Sequence, residues 1–182
     1  MSTTATVNNV KQVSYRFYKG KKSGDGSASQ WSLTTKPSRK NAKVLETLFF
    51  LEVAPQNPVS SNEDDPYTFD WRKKESPDSK SLLVKLEEAD VGELLCVLNG
   101  IVKAAGRDGK GLYHDAEKSN TIIGFSAAEK DGRIFGFNLR LSKKDKESGN
   151  QSSVNHFISL PEAEILRVLL NEAVLRLTGW HS

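Results

Sequence analysis

The sequence predicts an α+β protein built from two β-β-β-β-α units, with two antiparallel four-stranded sheets packed together and two helices. Two observations support this prediction. Strand-like and helix-like segments follow in the same order in both halves of the chain, and the two helical segments are similar in sequence. Neither four-stranded unit alone would bury much apolar surface, so we expect both sheets to share one core.

The first unit contains four predicted strands and one predicted helix. Aromatic and β-branched runs bounded by turn residues predict strands at 13–22, 30–36, 44–53, and at 67–74 continuing into 81–86 after an interruption at 76–79. Alternation places Phe49 and Leu51 on the opposite face of the third strand from Phe50. Helical spacing predicts a helix over 87–102, with one apolar face formed by Val91, Leu94, Leu95, Leu98 and Ile101.

The second unit repeats this order. Strands are predicted at 110–116, 120–127, 133–142 and 154–160, with a charged loop at 143–153. On the third of these strands, alternation places Asn138 and Arg140 opposite Phe135 and Phe137. A helix is predicted over 161–178, with a proline in its first turn and an apolar face formed by Ile165, Val168, Leu169, Val174 and Leu177.

An internal duplication explains the repeated order. A shift of 74 residues aligns Leu86, Glu88, Ala89, Asp90, Val91 and Leu95 with Leu160, Glu162, Ala163, Glu164, Ile165 and Leu169. We therefore predict a flexible tail at 1–10 and a single domain at 11–182, with repeat units at about 11–103 and 110–182. Both helices carry broad apolar stripes, which favours a homo-oligomer.

Composition narrows the class of protein. No stretch approaches the ~20 apolar residues of a membrane span, and the first nine residues lack the apolar run of a secretory signal. The single cysteine, Cys96, excludes an intramolecular disulfide and a cysteine-rich zinc site. We expect a cytoplasmic or nucleoid-associated protein, with an organelle as the alternative if a transit peptide has been removed.

Charge is distributed unevenly along the chain. Residues 1–46 carry nine Lys or Arg and two acidic residues, 47–70 carry five acidic residues and no Lys or Arg, and 71–86 are basic again. This segregation creates a local positive field although the formal net charge is only +3. The pattern favours a polyanionic partner, with a solvated basic loop as the alternative.

Five short motifs resemble the Whirly family of single-stranded DNA-binding proteins, over roughly residues 15–180. They are Tyr18-Lys19-Gly20-Lys21, Phe69-Asp70-Trp71-Arg72-Lys73-Lys74, Val91-Gly92-Glu93-Leu94, Tyr113-His114-Asp115, and a C-terminal helix closing on Gly179-Trp180. The resemblance implies a cyclic homotetramer that binds single strands along its sheets and between subunits. The sequence after Lys21 departs from the family pattern, so assembly beyond a tetramer is not implied. A related family of the same fold anneals guide RNA.

The function expected from these observations is sequence-tolerant binding of single-stranded DNA, in replication, repair or recombination, or transcription regulation. Such binding needs cations for phosphates and flat apolar faces for bases. The candidate binding residues are Arg16, Tyr18, Lys19, Lys21, Lys22, Trp31, Lys36, Phe50, Lys73, Asn138 and Arg140. Trp31 and Phe50 could instead be buried in the core or an interface, and Lys73 could be a solvated strand end. RNA binding and a purely structural oligomer are the alternatives.

Catalysis is not expected. The sequence has no P-loop, no metal-ligand cluster and no nucleophile motif, so no cofactor, metal or small-molecule substrate is predicted. His114 and Asp115 are adjacent on a predicted strand, and adjacent strand residues point to opposite faces. They are therefore not expected to form a catalytic pair.

Overall fold

A computed structural model describes residues 11–38, 41, 44–58, 67–72 and 79–180. The elements run in the order β1(Lys11–Lys19), β2(Ser27–Pro37), β3(Leu45–Pro55), β4(Leu82–Leu86), α1(Glu88–Leu98), β5(Leu112–Asp115), β6(Ser119–Lys130), β7(Arg133–Asp145), β8(Gln151–Ser159) and α2(Leu160–Thr178). A short 3-10 turn, Arg107–Gly109, precedes β5. The two predicted β-β-β-β-α units are therefore present, and the predicted tail at 1–10 lies outside the described residues.

Each unit forms its own antiparallel sheet with neighbouring strands in sequence order. Sheet 1 has the order β1-β2-β3-β4, and sheet 2 has the order β5-β6-β7-β8. In each sheet the inner face is apolar and the outer face carries most of the polar side chains. The inner faces and the two helices enclose one core, in which Trp31, Leu51, Phe125, Leu139 and Leu166 are buried. Helix α1 packs on α2 and β6, and α2 also packs on β3 and β7.

Helix α1 begins and ends at identifiable signals. Glu87 and Asp90 form a capping box at the start, and Asp90 Oδ2 accepts a 2.8 Å hydrogen bond from the Glu87 N–H. The helix ends at Leu98, because Asn99 caps it and Gly100 adopts a φ of +70°. Our prediction of a helix to residue 102 was therefore too long, and Ile101 is exposed outside the helix.

The side of helix α2 that faces the core matches the predicted one only in part. Of the predicted residues, Val174 and Leu177 pack at the margin of the core. The buried residues of α2 are Ala163, Leu166, Leu170 and Ala173, whereas Ile165 and Val168 are exposed. The capping boxes also fix the spacing between the two units, because the N-caps Glu87 and Ser159 are 72 residues apart. The shift of 74 residues inferred from the sequence was thus wrong by two positions, which is more than half a helical turn.

Residues 67–72 cross the edge of sheet 1 without forming the predicted fourth strand. Phe69 makes one isolated bridge to Gln56, and within the described part of 67–86 the strand that pairs with β3 is β4, Leu82–Leu86. Buried Glu52 on β3 holds this part of the chain. Its Oε1 accepts hydrogen bonds from the Arg72 N–H at 2.8 Å and from the Ser81 hydroxyl at 2.7 Å. The carboxylate thus binds both the segment before residues 73–78 and the segment after them.

The predicted loop at 143–153 is mostly strand. Strand β7 continues to Asp145 and β8 begins at Gln151, so the hairpin turn is only five residues long. Asp145 Oδ1 closes the turn by accepting hydrogen bonds from the Ser148 N–H at 2.7 Å and its hydroxyl at 2.9 Å. Charged residues in this stretch therefore reflect an exposed strand end and not a long loop.

Candidate nucleic-acid interface

A cleft of about 920 Å³ opens between the β1–β2 hairpin of sheet 1 and the outer face of sheet 2. We call it the inter-sheet cleft. Basic side chains come from the sheet-1 side, and amide and aromatic side chains come from the sheet-2 side. The lining residues that could contact a ligand are Lys19, Lys21 and Lys80 on one side, and Asn138, Asn155 and Phe157 on the other. The cleft thus combines positively charged lysines with hydrogen-bonding amides and the aromatic ring of Phe157.

Lys19 reaches the cleft because strand β1 extends past the edge of the core. Phe17 and Lys19 share the inner face of β1. Phe17 is buried, whereas Lys19 meets the first turn of α2. Lys19 Nζ lies 2.5 Å from Glu162 Oε2, which also accepts a 2.9 Å hydrogen bond from the Ser159 N–H. Partial burial raises the pKa of Glu162, but the bonds from Lys19 and Ser159 outweigh it and lower that pKa.

His156 lies beside this ion pair, at the junction of the two sheets. It is 2% exposed, and its Nδ1 is 3.1 Å from the Ser27 hydroxyl oxygen on β2. Its Nε2 has no hydrogen-bond partner among the described residues. Burial lowers the pKa of His156 to about 4, with Glu162 acting in the opposite direction and Lys19 adding to the lowering. The imidazole is therefore neutral at pH 7.

The β1–β2 hairpin presents two further lysines. The Lys21 N–H donates to Gln56 Oε1 at 2.8 Å, and the Gln56 amide donates back to the Lys21 carbonyl at 2.9 Å. Gly26 lets Gln56 approach, because a Cβ there would lie 2.0 Å from its Oε1. The Lys21 ammonium is 3.2 Å from Asp25 and well exposed, and Lys22 is exposed beside it. The hairpin backbone is thus fixed while both side chains reach solvent.

Arg16 and Tyr18 lie on the outer face of sheet 1, opposite Phe17. The Arg16 guanidinium lies 5.0 Å from the ring centroid of Trp71, and its Nε donates to Gln30. Tyr18 is 49% exposed; its ring is 5.4 Å from Phe69 and 6.4 Å from Trp71. The sequence motif containing Trp71 therefore folds over the strand that carries the first motif and forms an aromatic cluster with it.

Three other predicted binding residues, Trp31, Phe50 and Lys36, do not line the inter-sheet cleft. Trp31 is 2% exposed, and its ring packs against Phe49 at 6.1 Å, so the prediction that it stacks on bases was wrong. Phe50 is half-buried on the outer face, as alternation predicted. Lys36 lies 3.4 Å from Glu46, six residues along β2 from Gln30 and so roughly 20 Å from Arg16. Lys73 lies outside the described residues.

Asn138 and Arg140 project from the outer face of sheet 2 and are exposed, as predicted. Asn138 lines the inter-sheet cleft. Arg140 Nε donates to the Ser142 hydroxyl at 3.1 Å, and its strand neighbours in register are Gly124 and Asn155. Because Gly124 has no side chain, the guanidinium stands beside an open strip of backbone. Such a group can hold a phosphate or lie flat on a base.

Sequence reasoning missed four groups near this surface. Lys80 and Asn155 line the cleft, and Phe157 does so beside them. Alternation along β8, with Val154, His156 and Ile158 buried, would have identified Asn155 and Phe157 as outward-facing. Phe135 was predicted on the buried face, but it is 51% exposed. A β-bulge opposite Ala128 and Glu129 shifts it out of the regular alternation.

His114 and Asp115 do not form a pair, which agrees with the prediction from strand geometry. His114 Nε2 lies 3.2 Å from Asp90 Oδ2, and Asp115 binds Lys146. Within the described ranges, no three His, Cys, Asp or Glu residues are placed to hold a metal ion. In the same ranges, neither helix has the length and apolarity needed to cross a bilayer.

Comparison with solved structures identifies the fold. No protein-family model matches the sequence, and no curated protein is significantly similar to it. WHY1 from Arabidopsis thaliana superposes with a TM-score of 0.64 at 18% identity, covering 94% of this chain and 88% of that chain. The plant transcriptional regulator PBF-2 gives 0.64 at 18% identity, covering 94% and 85%. A guide-RNA-binding protein complex bound to its RNA gives 0.50 at 14% identity, covering 96% and 95%.

These similarities extend over both sheets and both helices, and they agree with the motifs noted in the sequence. The element order and the two four-stranded antiparallel sheets are those inferred from the repeated pattern of the chain. The protein therefore has the fold of the Whirly proteins.

Proposed function

We propose that this protein binds single-stranded DNA with little sequence preference and does so as a homotetramer. The observation that carries the proposal is the inter-sheet cleft, where lysines face amides and a half-buried aromatic ring, that of Phe157. Lysines bind phosphates regardless of sequence, and an aromatic ring stacks on any base. This combination suits a flexible single strand whose bases are accessible, and not a rigid duplex whose bases are stacked inside.

The strand path that we propose uses the cleft and the two outer faces beside it. Lys21, Lys22 and Lys80 would contact phosphates, and Asn138 and Arg140 would continue the path across sheet 2. On sheet 1, Tyr18 and Arg16 extend the surface towards Trp71. Lys19 lines the cleft, but its ammonium already binds Glu162, so its contribution to phosphate binding is smaller.

RNA binding is the second candidate. The similarity in fold to a guide-RNA-binding complex covers nearly all of both chains. The amides of Asn138 and Asn155 could bind a 2′-hydroxyl, the group that separates RNA from DNA. The cellular role that we propose for DNA binding is in replication, repair or recombination, or in transcription regulation.

A fluorescence polarisation assay with matched oligonucleotides tests the proposal. Single-stranded DNA, single-stranded RNA and duplex DNA of one sequence and one length are titrated at two salt concentrations. We expect the tightest binding for single-stranded DNA, weakened by salt. Tighter binding of RNA supports the second candidate. Failure to bind any of the three at low salt would contradict both and leave a structural oligomer.

A further inference from the structure

Phe135 is exposed because β7 gains one residue relative to β6. Ala128 pairs with Gly136 and Glu129 pairs with Ile134, so Phe135 has no partner in the ladder. A bulge of this kind redirects a side chain and is a recurrent feature of binding surfaces. Here it turns a phenylalanine that regular alternation would bury towards solvent, at 51% exposure. A contiguous exposed apolar patch, unlike a single exposed side chain, marks an interaction site on a soluble protein.

The exposed ring does not stand alone. Phe135 stacks on Phe157 of β8, with ring centroids 5.7 Å apart and planes inclined by 27°. Phe157 lies across Gly136, since a Cβ built on that glycine would be 2.3 Å from the Phe157 Cζ. Strand β7 thus supplies one ring and leaves space for the other. The result is a continuous aromatic surface, which we call the Phe135–Phe157 platform.

The platform adjoins the inter-sheet cleft. Phe157 lines the cleft, and its register partner on β7 is Asn138, so the platform and the amide are neighbours. Cations near this surface are Lys21 and Lys80 in the cleft and Arg140 on the same face. Two acidic residues lie nearby and both are paired: Asp25 lines the cleft 3.2 Å from Lys21, and Glu129 beside the bulge lies 2.9 Å from Lys103. A ligand that matches this surface has a flat apolar face and negative charge.

We infer that the Phe135–Phe157 platform stacks on a base of the bound single strand. The inference rests on the proposed function and adds to it a specific residue pair. Phosphates on either side of the stacked base would lie towards the lysines of the cleft and towards Arg140. Asn138 would offer a donor and an acceptor to the edge of the base. Because every base has a π-face, the contact is compatible with little sequence preference.

The experiment compares Phe135→Ala with Phe135→Tyr, which keeps the ring, and with Ile134→Ala, which removes a neighbouring exposed apolar side chain. The probe is a fluorescein-labelled oligothymidine about 16 nucleotides long. This length is at the upper end of what one single-strand-binding fold contacts. We expect Phe135→Ala to weaken binding roughly 5- to 150-fold, with an unchanged dependence on salt. Phe135→Tyr and Ile134→Ala should bind within about twofold of the parent protein.

A second measurement does not depend on substitution. An oligonucleotide carrying 5-iodouracil is cross-linked by light, and the attached peptide is identified by mass spectrometry. We expect attachment within strands β7 or β8 at Phe135 or Phe157. Unchanged affinity of Phe135→Ala with cross-links elsewhere would overturn the inference while leaving single-strand binding intact. A parent protein that binds no oligonucleotide would overturn the proposed function and the inference together.

Discussion

Lys19 Nζ lies 2.5 Å from Glu162 Oε2 and thereby joins the end of strand β1 to the first turn of helix α2. The same carboxylate caps the helix through the Ser159 N–H. One partly buried ion pair therefore fixes sheet 1 against helix α2.

Replacing Lys19 with methionine should lower the free energy of unfolding by about 1–3 kcal/mol, because the partly buried Glu162 carboxylate loses its charged partner. Lys21→Met is the matched control. The Lys21–Asp25 pair is mostly exposed, so its loss should change stability by less than about 1 kcal/mol. Urea denaturation of both variants at pH 7 measures the difference. Equal effects of the two substitutions would contradict the structural role of Lys19.

The effect of Lys19→Met should also depend on pH. Because the folded pKa of Glu162 is lowered, its contribution to stability is present above its ordinary value of 4.5 and is lost as pH falls through the folded pKa. The stability of the variant and that of the parent should therefore converge in acid. Repeating the urea titration at several pH values below 4.5 tests this expectation.

His156 should make the fold sensitive to mild acid. The folded pKa is about 4 and the ordinary value is 6.5, so between these values the unfolded chain binds a proton that the folded chain does not. The free energy of unfolding should fall by roughly 3 kcal/mol as pH is lowered through this window. His156→Gln removes the titrating group and should give a flatter profile between pH 4 and 6.5. A variant profile parallel to that of the parent would show that other groups cause the acid sensitivity.

Two glycines on the outer face of sheet 2 should respond differently to alanine. A Cβ on Gly136 would lie 2.3 Å from Phe157 Cζ and 2.7 Å from the Ile158 carbonyl oxygen, so backbone as well as a ring must move. Gly136→Ala should cost about 1–3 kcal/mol of stability. A Cβ on Gly124 would meet Arg140 Cβ at 3.5 Å, an ordinary contact, so Gly124→Ala should be nearly neutral. The melting temperatures of the Gly136→Ala and Gly124→Ala variants test this expectation. Similar values would argue against the tight packing at Gly136.

Salt dependence should separate phosphate contacts from the rest of the surface. Lys80→Ala and Arg140→Ala should each reduce the steepness of the log affinity against log salt plot by roughly 0.7, because one phosphate contact is lost. Lys36→Ala is the control, since Lys36 is paired with Glu46 at the opposite end of β2. Polarisation titrations at four salt concentrations provide the slopes. An effect of Lys36 as large as that of Lys80 would place the strand elsewhere on the protein.

The exposed apolar residues of α2 should form the subunit contact of the proposed homotetramer. Val168 is 63% exposed, and Ile165 and Leu175 are exposed with it. Val168→Asp would place a charge in this contact and should dissociate the oligomer, as measured by light scattering. Tyr113→Asp changes an equally exposed residue on the outer face of sheet 2 and should leave the assembly intact. A parent protein that is monomeric at micromolar concentration would rule out this contact.

The sheets were predictable because their alternation follows burial closely. Phe17, Phe49 and Phe137 are buried where alternation places them, while Arg16 and Arg140 are exposed. Phe135 was not predictable, since a bulge depends on the pairing with β6 and leaves no mark in the sequence of β7. The role of Trp31 was equally hidden, because a strand tryptophan has the same sequence signature in a core as on a surface.

The second helix shows where apolar spacing alone misplaces a buried face. Apolar spacing within 161–178 placed Ile165 and Val168 in the core, whereas they are exposed and Leu166 and Leu170 are buried. The capping residues Glu87 and Ser159 carried the correct register, because both start their helices with the same arrangement of side chain and backbone. Polar boundary residues thus aligned the two units better than the apolar residues between them.

Glu52 has a consequence for how this protein can be altered. Its Oε1 accepts hydrogen bonds from the Arg72 N–H and the Ser81 hydroxyl, so one atom of sheet 1 anchors two chain segments nine residues apart. Two anchors on one atom stay together when the chain between them is lengthened, and doubling the length of a loop costs only about 0.6 kcal/mol. The position between these two anchors is therefore suited to grafting a peptide tag or a second recognition module beside Trp71, without rebuilding the sheet beneath.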